Sequence, residues 1–220
     1  MKRQQSGFTL VEIAIVLVII GLLLGGILKG QELINSAKVK NLANDFRVIP
    51  TYIYAYQDKY KALPGDDAQA TTHLTPPAGV TITNGNGNGV IDNQLFAASG
   101  ETFQFWQQVR LANLAAGPSN TTDPAYLPTN AVGGQLSVSS MSTTSSPAQP
   151  WITGMTGTYQ VCSKGILGKF AKQLDIQMDD GNTATGSLQA VVDTQAASGG
   201  TAVATTSVDD ATPYTVCVTF

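Results

Sequence analysis

The stretch Gly7-Phe8-Thr9-Leu10-Val11-Glu12, which runs through Ile13-Ala14-Ile15-Val16 and on to Leu28, decides how the chain reads. From Phe8 to Leu28 the residues are apolar except for Thr9 and Glu12, with Gly21, Gly25 and Gly26 interspersed. At about 1.5 Å of rise per residue, a helix over this span measures roughly 31 Å. That matches the hydrocarbon thickness of a bilayer, so the segment has the length to cross one. Lys2 and Arg3 precede it, which places the N-terminus on the cytoplasmic side and the rest of the chain across the membrane. A cleaved secretory signal would carry a shorter apolar core and a small-residue site after it. A plain signal anchor explains the length but not Glu12. A lone acid in an apolar span costs a few kcal/mol, ~2.5–3.5 for Asp at a helix centre, and commonly marks function.

The combination of a basic leader, Gly7-Phe8-Thr9-Leu10-Val11-Glu12 and a long apolar run resembles the processing site of type IV pilins and of the related pseudopilins of type II secretion systems. The resemblance implies cleavage between Gly7 and Phe8 by a prepilin peptidase. It also implies N-methylation of Phe8 by the same enzyme. The new α-amino group of Phe8 is largely cationic at neutral pH, and Glu12 lies four residues on. An ammonium and a carboxylate in an apolar medium stabilise each other when paired, and each is costly alone. The family resemblance implies that Glu12 pairs with the N-terminus of a neighbouring subunit during assembly. A glutamate held near the headgroups by water is the simpler alternative.

Beyond the span, Leu33, Ala37, Leu42, Phe46, Ile49, Ile53, Tyr56 and Tyr60 recur mostly every three or four residues, with charged and polar residues between them. This periodicity predicts an amphipathic helix over 29–62 that continues the first. Pro50 removes one helical hydrogen bond and predicts a bend. Glycine is costly in a helix, so local loosening is expected around Gly25–Gly30.

Residues 63–220 read as a loop-rich head. Leu63-Pro64-Gly65-Asp66-Asp67 stops the helix. Asn84, Asn86, Asn88, the Val90 carbonyl and Asp92 then fall at the alternating positions of a calcium loop, with Gly89 where the turn glycine belongs. Leu95 stands where the bidentate glutamate is expected, leaving Glu101, Asp66 or Asp67 to supply charge. Calcium-containing head loops occur in the family that the chain resembles. Asn-Gly repeats are equally ordinary turn formers, so a calcium site and a plain turn both fit. Glu101 to Ala115 reads as a second helix, with Trp106 in its core. Ser137–Gln149 reads as a Ser/Thr-rich loop, exposed or glycosylated. His73 has no evident carboxylate partner and reads as a surface residue. Strand-like runs occur at Tyr159–Cys162, Gly186–Val192 and Tyr214–Phe220, with a short helix over Phe170–Asp175; Asp179-Asp180-Gly181 reads as a solvated turn and Ser198–Asp210 as a loop.

Cys162 and Cys217 are the only cysteines. In an exported chain an even pair implies a disulfide, and the pilins that this chain resembles close a surface region with one near the C-terminus. Together these features predict an α+β, pilin-like fold, in which a long N-terminal helix packs on a small antiparallel sheet.

Composition narrows the function. Residues 1–61 hold eight Lys and Arg against four Asp and Glu, whereas residues 62–220 hold four against eleven. An acidic head is a poor partner for nucleic acid, since phosphates need a basic face. One histidine and two cysteines argue against a structural zinc site. No nucleophile motif such as G-x-S-x-G is present, so assembly rather than catalysis is expected. The resemblance implies identical or related subunits, a prepilin peptidase and an assembly platform with its ATPase as partners. It implies an inner-membrane precursor with a periplasmic head, destined for an extracellular pilus or a periplasmic pseudopilus. A membrane-anchored, calcium-dependent adhesin is the alternative from a different class.

Overall fold

A computed structural model describes residues 9–141, 150–194 and 199–220. Gly7 and Phe8, the expected cleavage and methylation positions, lie outside the described residues, as do residues 142–149 of the predicted Ser/Thr-rich loop and Ser198 of the second loop. The chain divides into two compact units, Met1–Lys38 and Val39–Phe220.

Helix α1 spans Leu10–Tyr60. In the first unit it is helical through Gly25, Gly26 and Gly30, so the expected loosening is absent. A glycine lowers helix stability by only ~1 kcal/mol, and the Leu and Ile residues around it are good enough helix formers to carry the hydrogen bonding through. In the second unit α1 is equally continuous across Pro50. Ile49 and Ile53, on either side of the proline, are buried and hold the axis against the core. Thr51 Oγ1 donates to the Val48 carbonyl at 2.6 Å, a local bond of the kind that serves carbonyls near a proline.

The second unit continues with α2 (Ala70–His73), α3 (Glu101–Leu111), β1 (Leu136–Ser140), β2 (Tyr159–Leu167), α4 (Gly168–Met178), β3 (Leu188–Val192), a 3₁₀ turn (Thr205–Ser207) and β4 (Pro213–Thr219). The four strands form one sheet in the order β1-β2-β4-β3, with every neighbouring pair antiparallel. The α+β, pilin-like expectation is met: a long N-terminal helix accompanies a small antiparallel sheet.

Alternation along the strands sorts side chains onto two faces. Val138, Val161, Ala190 and Val216 join Leu42, Phe46, Ile53 and Tyr56 of α1 and Phe105, Trp106 and Val109 of α3 in the main core. Their strand neighbours Cys162, Val191 and Cys217 join Leu95, Trp151, Ile152 and Met155 in a second cluster. Burying a side chain of this size is worth ~1.5–3 kcal/mol, and the main core holds most of them.

Two corrections concern elements. Ser137–Ser140 was expected in an exposed loop and instead belongs to β1, all five residues of which are buried. Leu136 and Val138 face the core while Ser137 and Ser140 accept hydrogen bonds from the neighbouring loop: the Phe96 N–H donates to Ser137 Oγ at 3.0 Å and the Ile91 N–H donates to Ser140 Oγ at 2.8 Å. The short helix over Phe170–Asp175 extends to Gly168–Met178, because Phe170, Ala171 and Leu174 form a buried stripe at helical spacing.

Candidate functional site

At the start of α1, Thr9 and Glu12 satisfy each other. The Thr9 backbone N–H and its hydroxyl each donate to Glu12 Oε2 at 2.8 Å, and the Glu12 N–H donates back to Thr9 Oγ1 at 3.3 Å. This is a capping box, in which the first-turn N–H groups that lack helical partners are taken up by two side chains. Thr9 is the residue that the sequence reading passed over, although the T-x-x-E spacing signals it. The carboxylate that stands alone in the apolar sequence is thus held at a helix N-terminus, where the backbone dipole favours negative charge. Along the same helix Leu10 is 91% exposed, and Leu17, Leu22 and Leu28 are exposed as well. Among the described residues, none in the most apolar window is buried. A helical surface this apolar requires an apolar surrounding, whether lipid or other helices.

In the second unit, two consecutive acids organise three chain segments. Gly65 adopts φ +94°, and a Cβ there would sit 2.5 Å from the Glu101 carbonyl, so the turn demands glycine. The turn buries Asp66 and Asp67, 4% and 1% exposed. Asp66 accepts the backbone N–H groups of Gly87 (2.6 Å), Asn88 (3.0 Å) and Gly89 (2.8 Å). Asp67 accepts the Tyr56 hydroxyl from α1 at 2.8 Å and the Gln69 N–H at 2.8 Å. It also lies 2.7 Å from His73 Nδ1 of α2.

His73 is therefore not the unpaired surface residue expected. It pairs with Asp67 and stacks on Tyr60, with ring centroids 5.2 Å apart. The pairing was hidden because neither residue sits in a recognisable motif and the turn alone brings them together. Burial and the Asp67 bond push the Tyr56 hydroxyl far above the ordinary phenol range. A cavity of about 500 Å³ opens beside this cluster, lined by Tyr60, Lys61, Asp66, Asp67, His73 and Tyr159 among others.

The predicted calcium donors are all in this neighbourhood, but with the opposite polarity. Asn84 Oδ1 accepts the Thr71 N–H at 2.9 Å, Asn86 Oδ1 accepts the Asn88 N–H at 2.9 Å, and Asn88 Oδ1 accepts the Val90 N–H at 2.9 Å. The side-chain amides of Asn86 and Asn88 donate to Asp92 Oδ2 at 3.0 and 2.6 Å. Glu101 accepts the Asn86 and Asp92 backbone N–H groups at 2.9 and 2.8 Å. Burial raises the pKa of Glu101, these two bonds oppose the rise, and nearby Asp66 and Asp92 reinforce it. A calcium ion needs six to eight oxygens turned inward. Here N–H groups turn inward onto carboxylates, the Asn86 and Asn88 side-chain oxygens are used in the loop's own Asx turns, and that of Asn84 serves the Thr71 N–H. Among the described residues, no group of three or more His, Cys, Asp or Glu is placed to hold a metal ion. This arrangement does not fit a calcium ion.

Cys162 and Cys217 form a disulfide across directly opposed positions of β2 and β4, with Cα atoms 4.1 Å apart. Both cysteines are fully buried.

Comparison with curated proteins gave no match, and comparison with solved structures gave none either. The family described as the prokaryotic N-terminal methylation motif matches residues 2–28. These residues contain the basic leader, Gly7-Phe8, the Thr9–Glu12 box and the exposed apolar run. The chain carries, over residues 2–28, the prepilin signature of type IV pilins and pseudopilins.

Proposed function

We propose that this protein is a structural subunit of a type IV pilus, held in the inner membrane as a precursor and assembled into a helical fibre after leader cleavage. One observation carries the reading: the methylation motif runs into a helix whose apolar residues are exposed among the described residues. A membrane covers them before assembly, and neighbouring helices cover them afterwards. Cleavage after Gly7 creates an ammonium at Phe8, the partner that makes Glu12 tolerable in an apolar surrounding. Glu12 then exchanges its bond to Thr9 for a bond to a neighbour's N-terminus, which links entry into the fibre to processing. The work assigned to the molecule is assembly, not catalysis. The disulfide between β2 and β4 supports a pilus over a secretion pseudopilus, as it resembles the C-terminal cystine of pilins.

The test joins mass spectrometry of the mature N-terminus with electron microscopy of the cell surface. A chain that begins at methylated Phe8 and surface fibres that contain it are expected. Recovery of the protein with Met1 attached, in cells with an active prepilin peptidase, overturns the reading. A processed chain without surface fibres, whose deletion stops enzyme secretion, reassigns it to a type II secretion pseudopilus.

A further inference from the structure

On α1, Lys40, Arg47 and Tyr54 are exposed and recur every seven residues. Seven residues turn a helix to within about 20° of two full turns, so the three share one face. Neither Lys40 nor Arg47 has an ion pair or hydrogen bond among the described residues. Asp45 lies two residues from Arg47, about 200° around the axis and thus on the opposite face. There it lines a cleft of about 180 Å³ with Asn44, Tyr52, Trp106 and Arg110. Its half-buried carboxylate also has no ion pair or hydrogen bond among the described residues, and burial pushes its pKa up to about 6. Arg110 does not neutralise it, because that guanidinium donates to the carbonyls of Ala116, Pro118 and Tyr126.

An acid without a cation and bases without an anion therefore stand at one level on opposite faces of one helix. No single copy closes that pair. Two copies in a head-to-tail contact do, and such a contact builds a helical fibre when its rotation does not close into a ring.

We infer that the cleft bearing Asp45 receives Arg47 of a neighbouring copy, with Lys40 flanking it, as a specific head-to-tail contact between subunits. A guanidinium suits the cleft: it is weakly hydrated, pairs with a carboxylate and lies favourably on an aromatic ring such as Tyr52. The contact rests on the fibre reading and adds to it the surface by which the subunits register.

The test measures sheared fibre yield against processed subunit for the unaltered full-length chain, Arg47→Glu, Asp45→Arg, and the double exchange Asp45→Arg with Arg47→Asp. Each single reversal is expected to lower the yield about tenfold or more, because like charges then meet at the contact. The double exchange is expected to restore the yield to within about threefold, the signature of a direct pair. Single reversals with unaltered yield, or a double exchange no better than either single, overturn the pairing. A second measurement is independent of how well a charged residue is tolerated in the cleft. Asp45→Cys and Arg47→Cys in one chain should give a ladder of cross-linked oligomers under oxidation, and a monomer alone overturns the contact. An unaltered chain that is processed and makes no fibres sinks the fibre reading itself, and the pairing with it.

Discussion

Met1–Lys38 and Val39–Phe220 share one helix and solve opposite problems. In the second unit, Leu42, Phe46, Ile49, Ile53 and Tyr56 are buried by strands and by α3 of the same chain. In the first, Leu10, Leu17, Leu22 and Leu28 are exposed among the described residues. One region is stable by its own packing; the other awaits a surrounding. A helix that is apolar on every side is a solubility liability in a free protein and a necessity in a membrane or a fibre core. The contrast predicts which changes break assembly and which break the fold.

The largest effect is expected at Glu12. Glu12→Val should leave cleavage after Gly7 intact and reduce fibres to background, read by electron microscopy beside mass spectrometry of the N-terminus; fibres of normal number and length would remove the role assigned to this acid. In the second unit, replacing Cys162 and Cys217 together by Ala should lower unfolding free energy by about 4 kcal/mol on the chain-entropy account, with fibre-free subunits melting several degrees lower in detergent. Asp175 comes next. It is fully buried, and burial pushes its pKa up to about 6, against the pull of the Gly181 backbone N–H and with Asp180 and Asp179 nearby adding to the rise. A carboxyl with a folded pKa above its unfolded value adds stability below pH ~4, and that stability is lost as pH rises through about 6. Asp175→Asn should abolish this pH dependence, which amounts to roughly 3 kcal/mol at ~1.4 kcal/mol per pKa unit. A melting curve equally steep in pH for the variant would show that another group is responsible.

Smaller still is Tyr56→Phe, which removes one hydrogen bond to the buried Asp67 and should cost about 1–2 kcal/mol in denaturant unfolding. His73 and the Gln69 N–H remain to serve that carboxylate, which keeps the loss modest. Last, a chelator should leave the melting temperature unchanged, because the Asn84–Asp92 loop turns N–H groups rather than oxygens inward. A drop of several degrees with EDTA, restored by calcium, would reverse that reading.

Much of this contrast was legible in the residues. The Gly7-Phe8-Thr9-Leu10-Val11-Glu12 motif and the apolar run identify the first unit, because a membrane-length segment leaves a signal that depends on no tertiary contact. The 3.6-residue spacing of Leu42, Phe46, Ile49, Ile53 and Tyr56 gives α1, and two cysteines in an exported chain give the disulfide. The candidate site was harder. Leu136-Ser137-Val138-Ser139-Ser140 reads as a loop because serine dominates its composition, although Leu136 and Val138 keep the two-residue period of a strand. The Asp67–His73 pair forms only once the Gly65 turn has folded. The Asn-Gly loop shows the limit most clearly: alternating Asn and Gly specify a tight turn with backbone dipoles aligned inside it, but only the fold decides whether carbonyls or N–H groups face inward. Burial of Asp66 decided for the latter.

The Cys162–Cys217 bond has a mechanical consequence. β4, the last strand, lies between β2 and β3, and its midpoint is covalently fixed to β2. A tensile load on the subunit can peel the strand from either end only as far as that staple, because strand-to-strand hydrogen bonds rupture one by one while a sulfur–sulfur bond does not. A fibre built from such subunits would stretch by shifting its helices past one another before any head came undone.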